Sequence, residues 1–330
     1  TRTPTSPTNH APRRGLVAGA RRRAAPGCDG TAGEPRGAAP EASGPPTVFA
    51  DNFPLQSFAQ VMGGTEVEVN SPCLEGESAV DYRPTPEQII EIQDASLILL
   101  NGAEFANWTA NASLPGSRTI ITANAFRDQW LESTHHHHHE HDHQHGPEGE
   151  GVHDHAHWAS HTWLDPNLAR EQAAAAAAGV QNRLPGVSTV GIRARAEDLM
   201  AELGALADQA ALIRGLELPP IIGSEPVYEY LASACGLDLH EADWHWNEPT
   251  PHDGMESLRN LVLATGARHL LVPSAPTAER LEVLRELGLE PVLVMPLANP
   301  PTPDGTETFT TLMGRNLDQL QALAPGQSVD

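Results

Sequence analysis

Seven apolar residues, Ile192, Ala196, Leu199, Leu203, Leu206, Ala210 and Ile213, follow one another at alternating steps of four and three. That rhythm keeps one face of an α-helix apolar, and at 1.5 Å per residue the stripe is roughly 30 Å long. Such a helix has to bury one side along its whole length, so it predicts a rod that braces two bodies of structure. What flanks it agrees. Before it, runs at 47–50, 66–69, 97–100 and 120–122 read as strands, with helices entered at 51–55 and 86–95, and an alanine-rich helix at 167–184 is broken by Pro185-Gly186. After it, strands at 221–222, 269–272 and 292–295 alternate with helices at 227–234, 255–265, 277–287 and 306–323. Strands alternating with helices imply parallel sheets covered on both faces. The expected fold is α/β, with two Rossmann-like lobes of mostly parallel sheet joined by the one long rigid helix. The expected divisions are an N-terminal lobe at 47–185, a linker helix at 186–216 and a C-terminal lobe at 217–330.

Charge narrows the function. The 330 residues carry 20 Lys+Arg, all of them arginine, against 43 Asp+Glu, for a formal charge of −23. That balance argues against nucleic acid as a partner. No apolar run approaches the roughly 18 residues of a membrane helix. Residues 1–46 differ from the rest, with seven arginines against three acids. They read as a disordered Arg/Pro/Gly-rich head or a damaged signal or lipoprotein leader, with Cys28 the cysteine that would carry lipid. The other cysteines, Cys73 and Cys235, form no CxxC pair with it or with each other, so no zinc ribbon or thioredoxin-like motif is available.

Twelve of the 17 histidines lie between His135 and His161. His135, His136, His137, His138, His139, His141, His143, His145, His153, His155 and His157 are interspersed with Glu140, Asp142, Glu148, Glu150 and Asp154. Imidazole is a ligand favoured by zinc, copper and nickel, and the acids add oxygen donors. Four Gly/Pro residues at 146, 147, 149 and 151 argue against packed structure, so binding here should be multiple, exchangeable and pH-dependent. A solvated low-complexity loop without a metal role is the plainer reading. Alone, the segment leaves metallochaperone, metal buffer and transporter component open.

Four further stretches point one way: Phe53-Pro54-Leu55 with Gly63-Gly64; Asp81-Tyr82-Arg83-Pro84-Thr85-Pro86; His161-Thr162-Trp163-Leu164-Asp165-Pro166; and Gly223-Ser224-Glu225-Pro226-Val227-Tyr228 running on to Ala232. Their order and spacing, with a His-rich loop before the third, resemble the zinc/manganese solute-binding proteins of ABC importers from about Thr47 onward. The resemblance implies a metal held in a cleft between two lobes outside the cytoplasmic membrane, by about four ligands. One of these matches, His161. Val80 stands where a histidine precedes the Asp-Tyr pair in such proteins, Glu225 stands in place of another histidine, and Pro273-Ser274 falls where an acid is expected.

Glu225 is a credible substitute, since a carboxylate binds zinc at a length similar to imidazole and suits manganese better. The alternative for Glu225 is a helix N-terminal charge. His245 and Glu248, in a stretch resembling the family's His-Trp-Glu-Pro segment, are nearby candidates, although His245 could equally pack between Trp244 and Trp246. The metal set is therefore His161, Glu225 and His245, with the loop histidines accessory.

Other chemistry is missing from the sequence. His240-Glu241 opens like a zinc-protease helix but has Trp244 where the second histidine must fall, and there is no nucleophile elbow, Walker loop or dinucleotide fingerprint. The expectation is a monomeric, extracytoplasmic binding protein, lipid-anchored if Cys28 is modified, that captures Zn2+ (alternatively Mn2+) and delivers it to an ABC permease. A metal buffer acting through the His-rich loop, or a degenerate paralogue with a non-functional cleft, are the competing readings. An enzyme is not expected.

Overall fold

The computed structural model describes residues 44–133, 157–184, 186–242, 246, 252–301 and 306–325. The Arg-rich head with Cys28, the histidines from His135 to His155, and His245 with Glu248 lie outside the described residues.

Strand β1 (Thr47–Ala50) buries its last three residues and runs straight into a helix. Asn52 is extended and its Oδ1 accepts the Leu55 amide at 3.0 Å, while Pro54 occupies a first-turn place where no amide is needed. These two features start α1 (Phe53–Gly63) immediately after the strand. A capping box between Thr85 and Gln88 starts α2 (Pro86–Asp94). With β2 (Glu68–Asn70), the wholly buried β3 (Leu97–Leu100) and β4 (Thr119–Ile121), β1 forms a parallel sheet in the order β2-β1-β3-β4.

Two helices follow, α3 (Pro166–Arg183) and α4 (Thr189–Arg214). A second parallel sheet then repeats the first arrangement. Its strands are β5 (Ile221–Gly223), β6 (Leu239–Glu241), β7 (His269–Val272) and β8 (Glu290–Leu293), in the order β6-β5-β7-β8. Helices α5 (Glu229–Cys235), α6 (His252–Thr265) and α7 (Ala278–Leu287) connect these strands, and α8 (Phe309–Gln321) follows β8. The α/β two-lobe expectation is thus what the chain adopts. Several element bounds shift by two or three residues from the periodicity reading, and two details stand out. β8 starts two residues earlier than the apolar run at 292–295 suggests, and β6 is an edge strand that the pattern does not mark. Leu239, His240 and Glu241 are all half-buried, so three residues offer no clear alternation of inside and outside.

All seven stripe residues of α4 are buried, each Leu or Ile contributing about 1.5–3 kcal/mol. The helix lies on α1 and α3 on one side of the molecule and on α5 on the other, and α8 packs back across α4 and α1. Phe309 of α8 meets Phe58 of α1 edge-on at 5.3 Å, and its amide donates to Ser57 Oγ at 3.0 Å. A continuous apolar core therefore joins both sheets through α3, α4 and α8.

The segment leaving β8 makes a second connection. Tyr228 donates its hydroxyl to the Val294 carbonyl (2.9 Å), Trp163 Nε1 donates to the Pro296 carbonyl (2.7 Å), and the Phe53 amide donates to the Ala298 carbonyl (2.9 Å). Asn299 receives the Ala79 amide at 3.1 Å and donates to the Glu77 carbonyl at 2.6 Å. Pro296, Ala298 and Asn299 are thereby bonded to segments around the first sheet, while Val294 is held by Tyr228 of the second. In both sheets the winding reverses between the two central strands, β1/β3 and β5/β7. Crevices at the carboxyl ends of such strands are where open α/β sheets bind ligands.

Candidate metal centre

A cleft of about 750 Å³ lies at those carboxyl ends, between the two sheets. The loop after β3 supplies Glu104 and Phe105, the loop after β5 supplies Glu225, and Pro273-Ser274 follow β7. Residues 295–301 line the cleft alongside them. All four places that the sequence motifs single out, Val80, His161, Glu225 and Pro273-Ser274, face this one space although they are far apart in the chain. Val80, 43% exposed, brings no metal donor, and Pro273-Ser274 brings no carboxylate.

His161 is held from several sides. It immediately precedes the short 3-10 turn Thr162–Leu164, and its carbonyl accepts the Leu164 amide at 3.1 Å. Thr162 hydrogen-bonds to Asn101 Oδ1 (3.2 Å), which also accepts from Gln172 Nε2 at 2.7 Å. That network pins the turn to the end of β3. The Trp163 ring lies 4.8 Å from the imidazole, and Phe105 meets both rings edge-on. His161 is 6% exposed, and this burial pushes its pKa down to about 4. A buried ring without an acid beside it cannot carry charge cheaply, so His161 stays neutral, which is the ligating form. Nδ1 pairs with Ser160 Oγ at 3.2 Å. Nε2 has no hydrogen-bond partner among the described residues.

On the second sheet's side, Glu225 Oε1 accepts the Trp246 amide at 3.1 Å, and Trp246 Nε1 donates to Ser274 Oγ at 3.1 Å. The Arg280 guanidinium stacks over Trp246 at 4.5 Å. Glu225 precedes the first residue of α5 by four positions and so lies outside that helix's first turn. Glu229, the first residue of α5, also lines the cleft. Burial, then the neighbouring Glu241 carboxylate, pushes its pKa up to about 7. Its Oε1 is shut from solvent and has no hydrogen-bond partner among the described residues. The motif reading passed over Glu229 because an acid opening a helix looks like an ordinary N-terminal charge.

At the rim, Gly102, Ala103 and Glu104 form a run of left-handed backbone with φ of 88°, 47° and 61°. The run turns the chain after β3 so that Glu104 meets the Trp158 amide (3.2 Å) and His157 Nδ1 (3.6 Å). Residues 131–133 pair antiparallel with 157–159, the Ser133 amide donating to the His157 carbonyl at 2.7 Å. The His-rich segment therefore leaves and re-enters the described chain at Ser133 and His157, both in the cleft wall. Of the accessory histidines, His157 alone is among the described residues. Among those residues, no three His, Cys, Asp or Glu side chains converge closely enough to hold an ion. Cys73 and Cys235 are free and buried, and burial pushes both thiols up to about 12.

Residues 48–323 match the family model described as ZnuA, zinc-uptake complex component A, periplasmic. The chain belongs to this family. No curated protein matches the sequence. The component A fold recurs in the Zn(II)-bound ZnuA-like domain of AdcA from Streptococcus pneumoniae, at 16% identity over 85% of this chain and 99% of that one, TM-score 0.68. The metal-dependent lipoprotein YcdH from Bacillus subtilis matches at 16% identity over 84% and 99%, TM-score 0.67. The SBP FpvC from P. aeruginosa, in complex with Ni2+, matches at 17% over 87% and 99%, TM-score 0.64. Among the described residues of this component A protein, no helix is long and apolar enough to cross a membrane.

Proposed function

We propose that this protein captures a divalent transition metal, most readily zinc, outside the cytoplasmic membrane and delivers it as a monomer to an ABC permease. One observation carries the reading: His161, neutral and with Nε2 without a hydrogen-bond partner among the described residues, shares a cleft with the Glu225 carboxylate from the opposite sheet. An ion between them takes a nitrogen from one half of the molecule and an oxygen from the other. Closing the cleft around it thus needs both halves. The Zn(II) and Ni2+ held by two proteins of similar fold support a transition-metal cargo, and Mn2+ is the alternative that a carboxylate suits. His245 joins the set if its segment reaches the cleft. The chemistry is that of a binding protein, with no catalytic step assigned.

A second reading, a metal buffer working through the His-rich segment, draws support from the position of Ser133 and His157 in the cleft wall. Calorimetric zinc titration separates the two, run on the metal-free chain and on a version lacking 135–157. The shortened protein is expected to bind one ion tightly, to lose that binding on His161→Ala, and to melt later with zinc present. The gain is about 2.7 kcal/mol at a hundredfold excess over Kd. Loss of all binding with the segment would leave the buffer reading in its place.

A further inference from the structure

Resting on the reading of His161 as a metal ligand, we infer that Asn101 is a positioning residue for capture: its one side-chain amide grips the chain on both sides of His161. Asn101 directly follows β3 and is wholly buried. Its Nδ2 donates to the Ser160 carbonyl at 3.0 Å, and its Oδ1 accepts the Thr162 hydroxyl at 3.2 Å. Those two residues are the immediate neighbours of His161 in the chain. The second N–H goes to the Gly102 carbonyl (2.8 Å), and Gln172 Nε2 donates to the same Oδ1 (2.7 Å). A primary amide has two N–H donors and two acceptor lone pairs, so this group is fully used. A buried polar network in which every member is satisfied is rigid.

The grip is anchored and it reaches the ring. The Asn101 backbone amide donates to Asp51 Oδ2 at 2.9 Å, and its carbonyl accepts the Ala123 amide at 2.9 Å. The placing of His161 is thereby referred to the ends of β1, β3 and β4. Ser160 carries it on to the imidazole, since its Oγ lies 3.2 Å from His161 Nδ1. A neutral ring that ligates through Nε2 keeps its proton on Nδ1, so Nδ1 is the donor and Ser160 Oγ the acceptor. Outer partners that orient a ligating histidine are worth about 10- to 100-fold in metal affinity.

Calorimetric titration of the full chain with zinc chloride tests the role, using wild type, Asn101→Ala, Ser57→Ala and His161→Ala, with urea midpoints of the metal-free proteins alongside. Ser57 is buried in α1 and accepts the Phe309 amide, so its variant loses a buried hydrogen bond remote from His161. Asn101→Ala is expected to weaken the tight site at least about tenfold and Ser57→Ala to leave it within about twofold, although both unfold at lower urea. In the metal-free protein the His161 ring Cε1–Hε1 NMR signal, identified by its absence from His161→Ala, should shift and broaden in Asn101→Ala and stay in place in Ser57→Ala. If Asn101→Ala does not fold, Thr162→Val removes only the hydroxyl held by Oδ1 and is expected to weaken zinc binding about threefold. Unchanged affinity in the Asn101 or Thr162 variant, or an equal loss in Ser57→Ala, overturns the positioning role, while loss of the tight phase in His161→Ala keeps the cleft reading standing. A tight phase that survives His161→Ala brings down the cleft reading, and the inference with it.

Discussion

Replacing Trp163 with alanine is expected to remove about 3–5 kcal/mol of folding stability, the largest loss of any single change near the cleft. The indole is wholly buried, packs edge-on to Phe105 at 5.2 Å and lies against His161. Its Nε1 also makes the 2.7 Å hydrogen bond to the Pro296 carbonyl that helps fasten residues 294–299 beneath the cleft. Truncation therefore opens a cavity and strips a carbonyl of its partner, and the second effect adds about 1–3 kcal/mol where water cannot enter. Trp163→Phe separates the two, since it keeps most of the ring and loses only the donor. Urea unfolding of the metal-free protein should place Trp163→Phe between wild type and Trp163→Ala. Equal loss in both variants would show that the hydrogen bond, and not the packing, dominates.

Asp51 gives the second large effect, one that depends on pH. Its carboxyl follows β1, is 2% exposed, and accepts the Asn101 amide through Oδ2 at 2.9 Å, while Oδ1 has no partner among the described residues. Burial pushes its pKa from 3.8 to about 7, outweighing the hydrogen bonds that lower it. The folded state therefore holds a proton that the unfolded chain has released between about pH 4 and 7. Stability from this group is present below pH 4 and is lost as pH rises to 7, by on the order of 4 kcal/mol. Burial of His161 acts in the opposite direction between about pH 4 and 6.5, since the unfolded ring takes up a proton that the folded one refuses. Glu229, raised to about 7, acts in the same direction as Asp51.

Comparing Asp51→Asn with wild type isolates the Asp51 contribution, because the other two groups are common to both. Asparagine keeps an acceptor for the Asn101 amide and carries no charge. The variant should gain about 2–4 kcal/mol at pH 8 and little at pH 4.5, read from urea midpoints. The same difference at both pH values would mean that the Asp51 carboxyl titrates alike in the folded and unfolded protein, so that burial does not raise its pKa.

Much of the architecture was legible in the chain because it rests on local rules. The stripe from Ile192 to Ile213 is buried residue for residue, and the alternation of short apolar runs with helices yields two parallel sheets. The Asp-Pro and Thr-Pro starts of α3 and α2 put prolines where helices accept them. Strand β6 was not legible, because three half-buried residues at a sheet edge carry no periodic signal.

In the site, His161 and Glu225 could be picked out from short motifs, since each sits in a run of residues whose local structure is set by its neighbours. Their facing one another across a common space could not be read this way. It arises because both sheets reverse their winding at equivalent strands, and because α4, α8 and residues 294–299 hold the two carboxyl-end crevices together. The buried state of Glu229, of Asp51 and of the His161 ring likewise follows from packing by residues remote in sequence. Composition sets which charges a chain carries; desolvation, and so which of them are protonated and free to bind, is decided only when distant segments exclude the water.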